Sequence, residues 1–148
     1  MALFLGECRV MRIRLGGLLL AFLLGCGVLQ AEEVIVNETV ADTLPKRALR
    51  AIFGMRLGRW PESNHEITVF VLADDNPVHA QFCKTTLNVF PHQLRRAWDR
   101  LVFSGTGQAP IRLSSEAEML QRVANTPGAI GYLSKDKVDG RVHVLRIN

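Results

Sequence analysis

The residues that could carry out chemistry are few, and they do not cluster in the sequence. The four histidines lie far apart, at His65, His79, His92 and His143, and none has a partner at the spacing of a metal-binding motif. Motifs for a nucleophilic serine, a phosphate-binding loop or a Cys-x-x-Cys pair are missing. We therefore predict that the protein is not an enzyme and needs no metal ion or other cofactor.

Two short stretches could bind an anion instead. Asp74 and Asp75 precede Asn76 and Pro77, which are typical of a helix start. Acidic residues are favoured near a helix N-terminus by the macrodipole and by capping, so the two aspartates need no catalytic role. Residues 104–107, Ser-Gly-Thr-Gly, offer hydroxyl and backbone N–H groups together. No helix is predicted to begin after them, so a dipole for anion binding is missing there. We interpret residues 104–107 as a surface turn.

The N-terminal residues have the pattern of an export signal. Arg12 and Arg14 precede an apolar run over residues 15–24, which is shorter than the roughly 20 apolar residues of a membrane span. We predict a signal peptide over residues 1–31, cut after Ala31, with Met11 as an alternative start. Residues 32–148 then form one domain.

A lipoprotein signal is the alternative for the same segment. Residues 23–26, Leu-Leu-Gly-Cys, resemble a bacterial lipobox, which would leave a lipidated Cys26 as the N-terminus. Both alternatives predict export, and only the second predicts a membrane anchor. Cys83 is then the remaining cysteine of residues 32–148, so we expect it to be a small buried hydrophobic residue.

The charge of the predicted mature domain is close to neutral. Residues 32–148 carry 15 lysines and arginines against 13 aspartates and glutamates, a net charge of +2. A nucleic-acid-binding domain would show a basic face or stripe. The composition therefore argues against nucleic acid as a partner.

Strand and helix patterns alternate along the domain. Apolar runs at residues 33–37, 67–72, 129–133 and 142–147 predict strands, and residues 111–113 predict an edge strand. Helix starts are predicted at Pro45, Asn76, Pro91 and Ser115, where Ser115 and Glu118 form a capping box. On the third helix, Arg95 and Asp99 could form an ion pair because they are four residues apart. This alternation is typical of an α/β layer structure.

A tight turn at Pro127 and Gly128 joins the last predicted helix to a strand. Proline presets φ for the first central position, and glycine supplies the positive φ that a type II turn needs next. Gly131 within the following strand indicates that another element packs close to the backbone.

Several blocks occur in an order that resembles a known family. They are residues 51–54 (Ala-Ile-Phe-Gly), 59–61 (Arg-Trp-Pro), Phe82, Trp98 with 103–105 (Phe-Ser-Gly) and Pro110, and 115–132, which end in Pro-Gly-Ala-Ile-Gly-Tyr. In this order they resemble the phosphate-type substrate-binding proteins of bacterial ABC transporters, over about 80 residues. The resemblance implies a single lobe of a type II periplasmic-binding-protein fold, with a mixed sheet flanked by helices, and a periplasmic location.

The resemblance also implies a ligand and partners. It implies phosphate or another oxyanion as ligand and an ABC permease as partner, although the chain is under half the length of the full binding proteins. At the place of the family's Arg-x-x-Ser-Gly-Thr phosphate loop, this sequence has Asp74 and Asp75, which would repel an anion. The expected ligand donors there are Asn76, Val78 and His79, at the helix start.

A second hypothesis is that the domain has lost phosphate binding and serves as an accessory or sensory interaction module in the envelope. Arg56, Arg59 and Trp60 would then contact a protein partner, since arginine and tryptophan are frequent interface anchors. The competing interpretation of Trp60 is packing in the core.

Overall fold

The computed structural model describes residues 31–148. The predicted signal peptide and the lipobox alternative lie outside the described residues, apart from Ala31 at their boundary. The strands are β1 (Glu32–Val36), β2 (Thr43–Leu44), β3 (Thr68–Leu72), β4 (Ile111–Leu113), β5 (Ala129–Ser134), β6 (His143–Val144) and β7 (Arg146–Ile147). The helices are α1 (Lys46–Phe53), α2 (Pro77–Phe82), α3 (Pro91–Phe103) and α4 (Glu116–Asn125). The predicted mixed α/β architecture is confirmed.

The strands form one mixed sheet in the order β4-β3-β5-β1-β6, with a separate small sheet of β2 and β7. β3 runs parallel to both β4 and β5. β1 runs antiparallel to β5, from Glu32 opposite Ser134 to Val36 opposite Ile130, and antiparallel to β6. Residues 111–113 form an edge strand as predicted.

Helices cover both faces of this sheet. On one face, α4 packs so closely on β5 that a Cβ atom at Gly131 would overlap Met119, which explains the glycine that the sequence places within a strand. On the other face, Tyr132 of β5 contacts Phe82 of α2 with ring centroids 4.0 Å apart and Phe53 of α1 with centroids 6.0 Å apart. The core therefore consists of two layers of side chains, one on each side of β5.

The prediction of one continuous strand at residues 142–147 is wrong. Residues 142–147 form two short strands, because Leu145 turns into the core and its N–H donates to the Val34 carbonyl at 2.8 Å. β6 pairs with β1, whereas β7 pairs in parallel with β2 in the small sheet. The segment thus closes two sheets instead of extending one.

The helix starts agree with the sequence apart from two details. Pro45 is the residue before α1 and not its first helical residue. Ser115 caps α4 by accepting from the Glu118 N–H at 3.2 Å, but the Glu118 carboxylate accepts from Ser114, not from Ser115, so the predicted capping box is only half formed. No helix within residues 31–148 is both long and apolar enough to cross a membrane.

Candidate functional site

The carboxyl ends of the parallel strands β3 and β4 lie side by side at one edge of the sheet. Leu72 pairs with Leu113 at the end of this ladder, and α2 and α4 begin shortly after these residues. In open α/β sheets, ligands bind outside the carboxyl ends of the strands. A ligand site is therefore expected at these strand ends, which are called the carboxyl edge below.

Two arginines converge on Asp74 at the carboxyl edge. Arg95 of α3 donates from Nε and Nη2 to Asp74 Oδ2 at 3.0 and 2.9 Å, and the guanidinium of Arg112 on β4 lies 3.8 Å from Asp74 Oδ1. Arg95 thus pairs across the fold, and the expected i, i+4 pair with Asp99 is wrong. Because two cations face one carboxylate, the expected repulsion of an anion at Asp74 is offset.

The side chain of Asn76 caps the start of α2. Asn76 Oδ1 accepts from the Val78 N–H at 2.9 Å, so the predicted N-cap is confirmed. Asn76 and Val78 are both partly buried. The structure therefore brings these two expected ligand donors together, but it uses the Val78 N–H within the cap.

The His79 ring is buried and bonded inside the protein. Tyr132 Oη accepts from the Leu72 N–H at 2.8 Å and lies 2.5 Å from His79 Nδ1. Tyr132 Oη therefore links the backbone at the end of β3 to the imidazole of α2. The imidazole is therefore a buried structural group, held inside the protein by Tyr132.

Cys83 lies one helical turn beyond His79, in the π-helical segment Cys83–Leu87 that continues α2. Its sulfur is 3.5 Å from His79 Nε2, and burial, helped by the charge of Asp74, raises the pKa of the thiol to about 12. Cys83 is a buried hydrophobic residue, as expected from the sequence.

We expect His79 to make the fold acid-sensitive. Burial lowers the pKa of His79, with Asp74 opposing this effect and Arg95 adding to it. As pH falls below about 6.5, the unfolded chain gains a proton that the folded protein does not, so the free energy of unfolding falls by up to about 1.4 kcal/mol per pH unit. The decline continues until the lowered folded pKa is reached.

Urea denaturation between pH 7.5 and 5 measures this decline. His79→Gln should remove the part of the slope that begins near pH 6.5, whereas the same change at the exposed His65 should keep it. An unchanged slope in His79→Gln would show that another group carries the acid sensitivity.

The start of α4 is occupied by the protein's own carboxylates. Glu116 accepts from the Ser134 N–H at 2.7 Å and from Lys137 Nζ at 2.6 Å. Burial works to raise the pKa of Glu116, but these hydrogen bonds hold it below its ordinary value. Glu118 binds Ser114 in the same region. A free anion would therefore meet negative charge at α4.

The turn at residues 104–106 is exposed and follows the end of α3. The Ser104 and Thr106 hydroxyl oxygens lie 2.7 Å apart, and Ser104 also donates to the Leu101 carbonyl. A helix C-terminus carries partial negative charge, which disfavours an anion. Across the described part of the chain, no three His, Cys, Asp or Glu side chains are grouped to hold a metal ion.

No family model and no curated protein matches the sequence of this chain. Solved structures do match. An ABC-type phosphate transport receptor from Vibrio cholerae has a TM-score of 0.62 at 15% identity, with 78% of this chain and 45% of that chain covered. PstS from Borrelia burgdorferi has a TM-score of 0.61 at 17% identity, with 80% and 47% covered. The chain has the fold of the phosphate-type substrate-binding proteins. The resemblance inferred from the sequence blocks is thus confirmed at the level of the fold.

The chain spans less than half the length of these phosphate-type binding proteins. A structure from Clostridium perfringens that contains bound phosphate shows the same relation, with a TM-score of 0.62 at 17% identity and 44% of its chain covered. The matched proteins are receptors and binding proteins. At identities of 15–17%, the likeness to these proteins is one of fold.

Within this binding-protein fold, Trp60 belongs to the core. Its side chain is almost completely buried, and Nε1 donates to the Gly128 carbonyl at 2.9 Å. Arg56 and Arg59 are exposed. The core interpretation of Trp60 therefore holds, and the hypothesis of an interaction module loses its aromatic anchor.

Sequence reasoning missed Arg95 and Arg112 as site residues. Neither arginine lies near Asp74 in the sequence, so no local motif connects the three. The one available signal was the position of Arg112 in a predicted edge strand, residues 111–113. Topology, which places β4 against β3, turns that position into a contact.

Proposed function

We propose that this chain is an exported binding protein of the phosphate-transport type, which binds an oxyanion at the carboxyl edge and works with an ABC permease in the periplasm. The fold supports the general class, and the signal-like N-terminal sequence supports export. The observation that carries the ligand proposal is Arg112, whose side chain is 47% exposed and lies 3.8 Å from Asp74.

Arg112 has the properties of an oxyanion ligand. Its guanidinium lies 3.8 Å from Asp74 Oδ1, beyond hydrogen-bond distance, whereas Arg95 is already held by Asp74 through two hydrogen bonds. Arginine presents paired N–H donors that match phosphate and sulfate oxygens. The oxyanion would bind beside Arg112, near the start of α2 where Asn76, Val78 and His79 lie, with Asp74 as an internal competitor for the guanidinium.

Calorimetric titration of the purified protein with phosphate and with sulfate tests this proposal. We expect binding that Arg112→Gln weakens by about tenfold, because a charge-assisted hydrogen bond is lost. Asp74→Asn should strengthen binding, because it removes the competing carboxylate.

Arg100→Gln provides the matched control, since Arg100 lies exposed on α3 and takes no part in the cluster around Asp74. It should leave the affinity unchanged. Absence of heat with both anions at millimolar concentration would refute oxyanion binding. Equal affinities of Arg112→Gln and the unchanged protein would place the ligand elsewhere.

A further inference from the structure

A cavity of about 480 Å³ lies at the end of the strands opposite to the carboxyl edge. It opens between the start of α1 and two loops that follow β1 and α1, where β3 and β5 begin. Leu44, Ala48, Trp60 and Pro61 form its apolar walls. This volume falls within the range of small-molecule sites, about 300–1,000 Å³.

One end of this cavity is positive. Arg47 lines the cavity in the first turn of α1, and within residues 31–148 no carboxylate lies within ion-pair distance of it. No side chain caps α1 and no acidic residue lies in its first turn, but the Lys46 N–H at its start already donates to the Asn148 carbonyl oxygen at 2.9 Å. The positive charge at this end of the cavity therefore comes from Arg47.

We infer that this cavity binds a small monocarboxylic acid with an apolar group. The carboxylate lies against Arg47, and the apolar group lies against Trp60, Leu44 and Pro61. Charge complementarity at one end and an apolar wall at the other both match this class of ligand. The cavity is separate from the oxyanion site, so the inference does not depend on the proposed function.

Glu62 narrows the class further. Its exposed carboxylate also lines the cavity, in the loop that carries Trp60. A second negative charge on the ligand would be repelled by Glu62. The cavity therefore selects a monoanion over a dicarboxylic acid.

The two tryptophans provide the measurement. The sequence has only two tryptophans, Trp60 and Trp98. A two-dimensional ¹H–¹⁵N correlation spectrum therefore contains two indole N–H signals. Trp60 lines the cavity, whereas Trp98 is fully buried and bonded to the Phe53 carbonyl at the far end of α1. Titration of the purified protein with 4-methylpentanoate should shift the Trp60 signal to saturation and leave the Trp98 signal in place.

Neutral and doubly charged probes test the charge requirement. The neutral amide 4-methylpentanamide and the dicarboxylate glutarate should both bind at least five-fold more weakly than 4-methylpentanoate. Inorganic phosphate should not shift the Trp60 signal, which separates this cavity from the carboxyl edge. The highest 4-methylpentanoate concentration, about 20 mM, is well above a dissociation constant of about 1 mM. A Trp60 signal that stays in place at this concentration would overturn the inference.

Arg47→Gln and Arg50→Gln form a matched pair on α1. Arg50 lies one turn further along α1 and lines a different cavity. We expect Arg47→Gln to weaken 4-methylpentanoate binding by about five- to tenfold, Arg50→Gln to leave it unchanged, and Glu62→Gln to strengthen it. Equal weakening by both arginine changes would indicate a general charge effect and would overturn the assignment to Arg47.

Discussion

Gly128→Ala should destabilise the protein by about 3 kcal/mol or more, the sum of a left-handed backbone cost and an overlap. Gly128 has φ of +74°, and a Cβ atom there would overlap the backbone carbonyl oxygen of Glu66 and lie 3.6 Å from Trp60 Nε1. A backbone oxygen cannot move aside as a flexible side chain can. Since a domain of this size is stable by only about 5–15 kcal/mol, the variant should be close to unfolding.

Substitutions at two other glycines distinguish the backbone cost of a positive φ from the cost of the overlap. Gly105 has a similar φ of +69°, but no atom lies within 4 Å of the position that a Cβ atom would take, so Gly105→Ala should cost only the backbone part, about 1–2 kcal/mol. Gly140 has an open position and no positive φ, so Gly140→Ala should stay within about 0.5 kcal/mol. Urea denaturation ranks the three variants. A cost at Gly128 no larger than that at Gly105 would contradict the overlap with Glu66.

Tyr132→Phe is the second change with a large expected effect, a loss of about 2–5 kcal/mol. It removes only the hydroxyl that accepts from the Leu72 N–H and shares a hydrogen bond with His79 Nδ1. The Leu72 N–H and His79 Nδ1 are then buried without this partner. The ring stack on Phe82, with planes 9° apart, is kept. The loss therefore reports on hydrogen bonding and not on packing.

A double-mutant cycle with His79→Leu tests whether the two rings act together. If the Tyr132 hydroxyl and His79 share a hydrogen bond, the stability losses of the two single variants should add up to more than the loss in the double variant. The expected difference is about 1 kcal/mol or more. Denaturant unfolding at pH 7.5 keeps His79 neutral during the measurement. Additive costs would show that Leu72 alone depends on the hydroxyl.

Local features of the fold could be predicted from the sequence. The Asn76 cap, the positive φ of Gly128 and the close packing at Gly131 depend on residues that are near each other or on backbone rules for glycine. The alternation of strands and helices gave the layer architecture for the same reason. These features need no knowledge of which strands are neighbours.

Long-range contacts could not be predicted in the same way. Asn37 reads as a residue that ends a strand, yet its Nδ2 donates to the carbonyls of Val123 and Ala124 at the end of α4, at 3.0 and 2.9 Å. Arg95 has a plausible partner in Asp99 but binds Asp74. In each case topology brings together residues that spacing keeps apart, and a single sequence carries no signal for the choice.

The position of β1 has a consequence for the order of folding. This strand comes first among the described elements, but both of its sheet neighbours, β5 and β6, lie within residues 129–144. A chain emerging from the ribosome cannot pair β1 until nearly all of the domain has been made, and such non-local pairing is slow because a long loop must close first. An exported chain of this topology would remain unfolded, and so able to pass a narrow secretion channel, until its last strands had been synthesised.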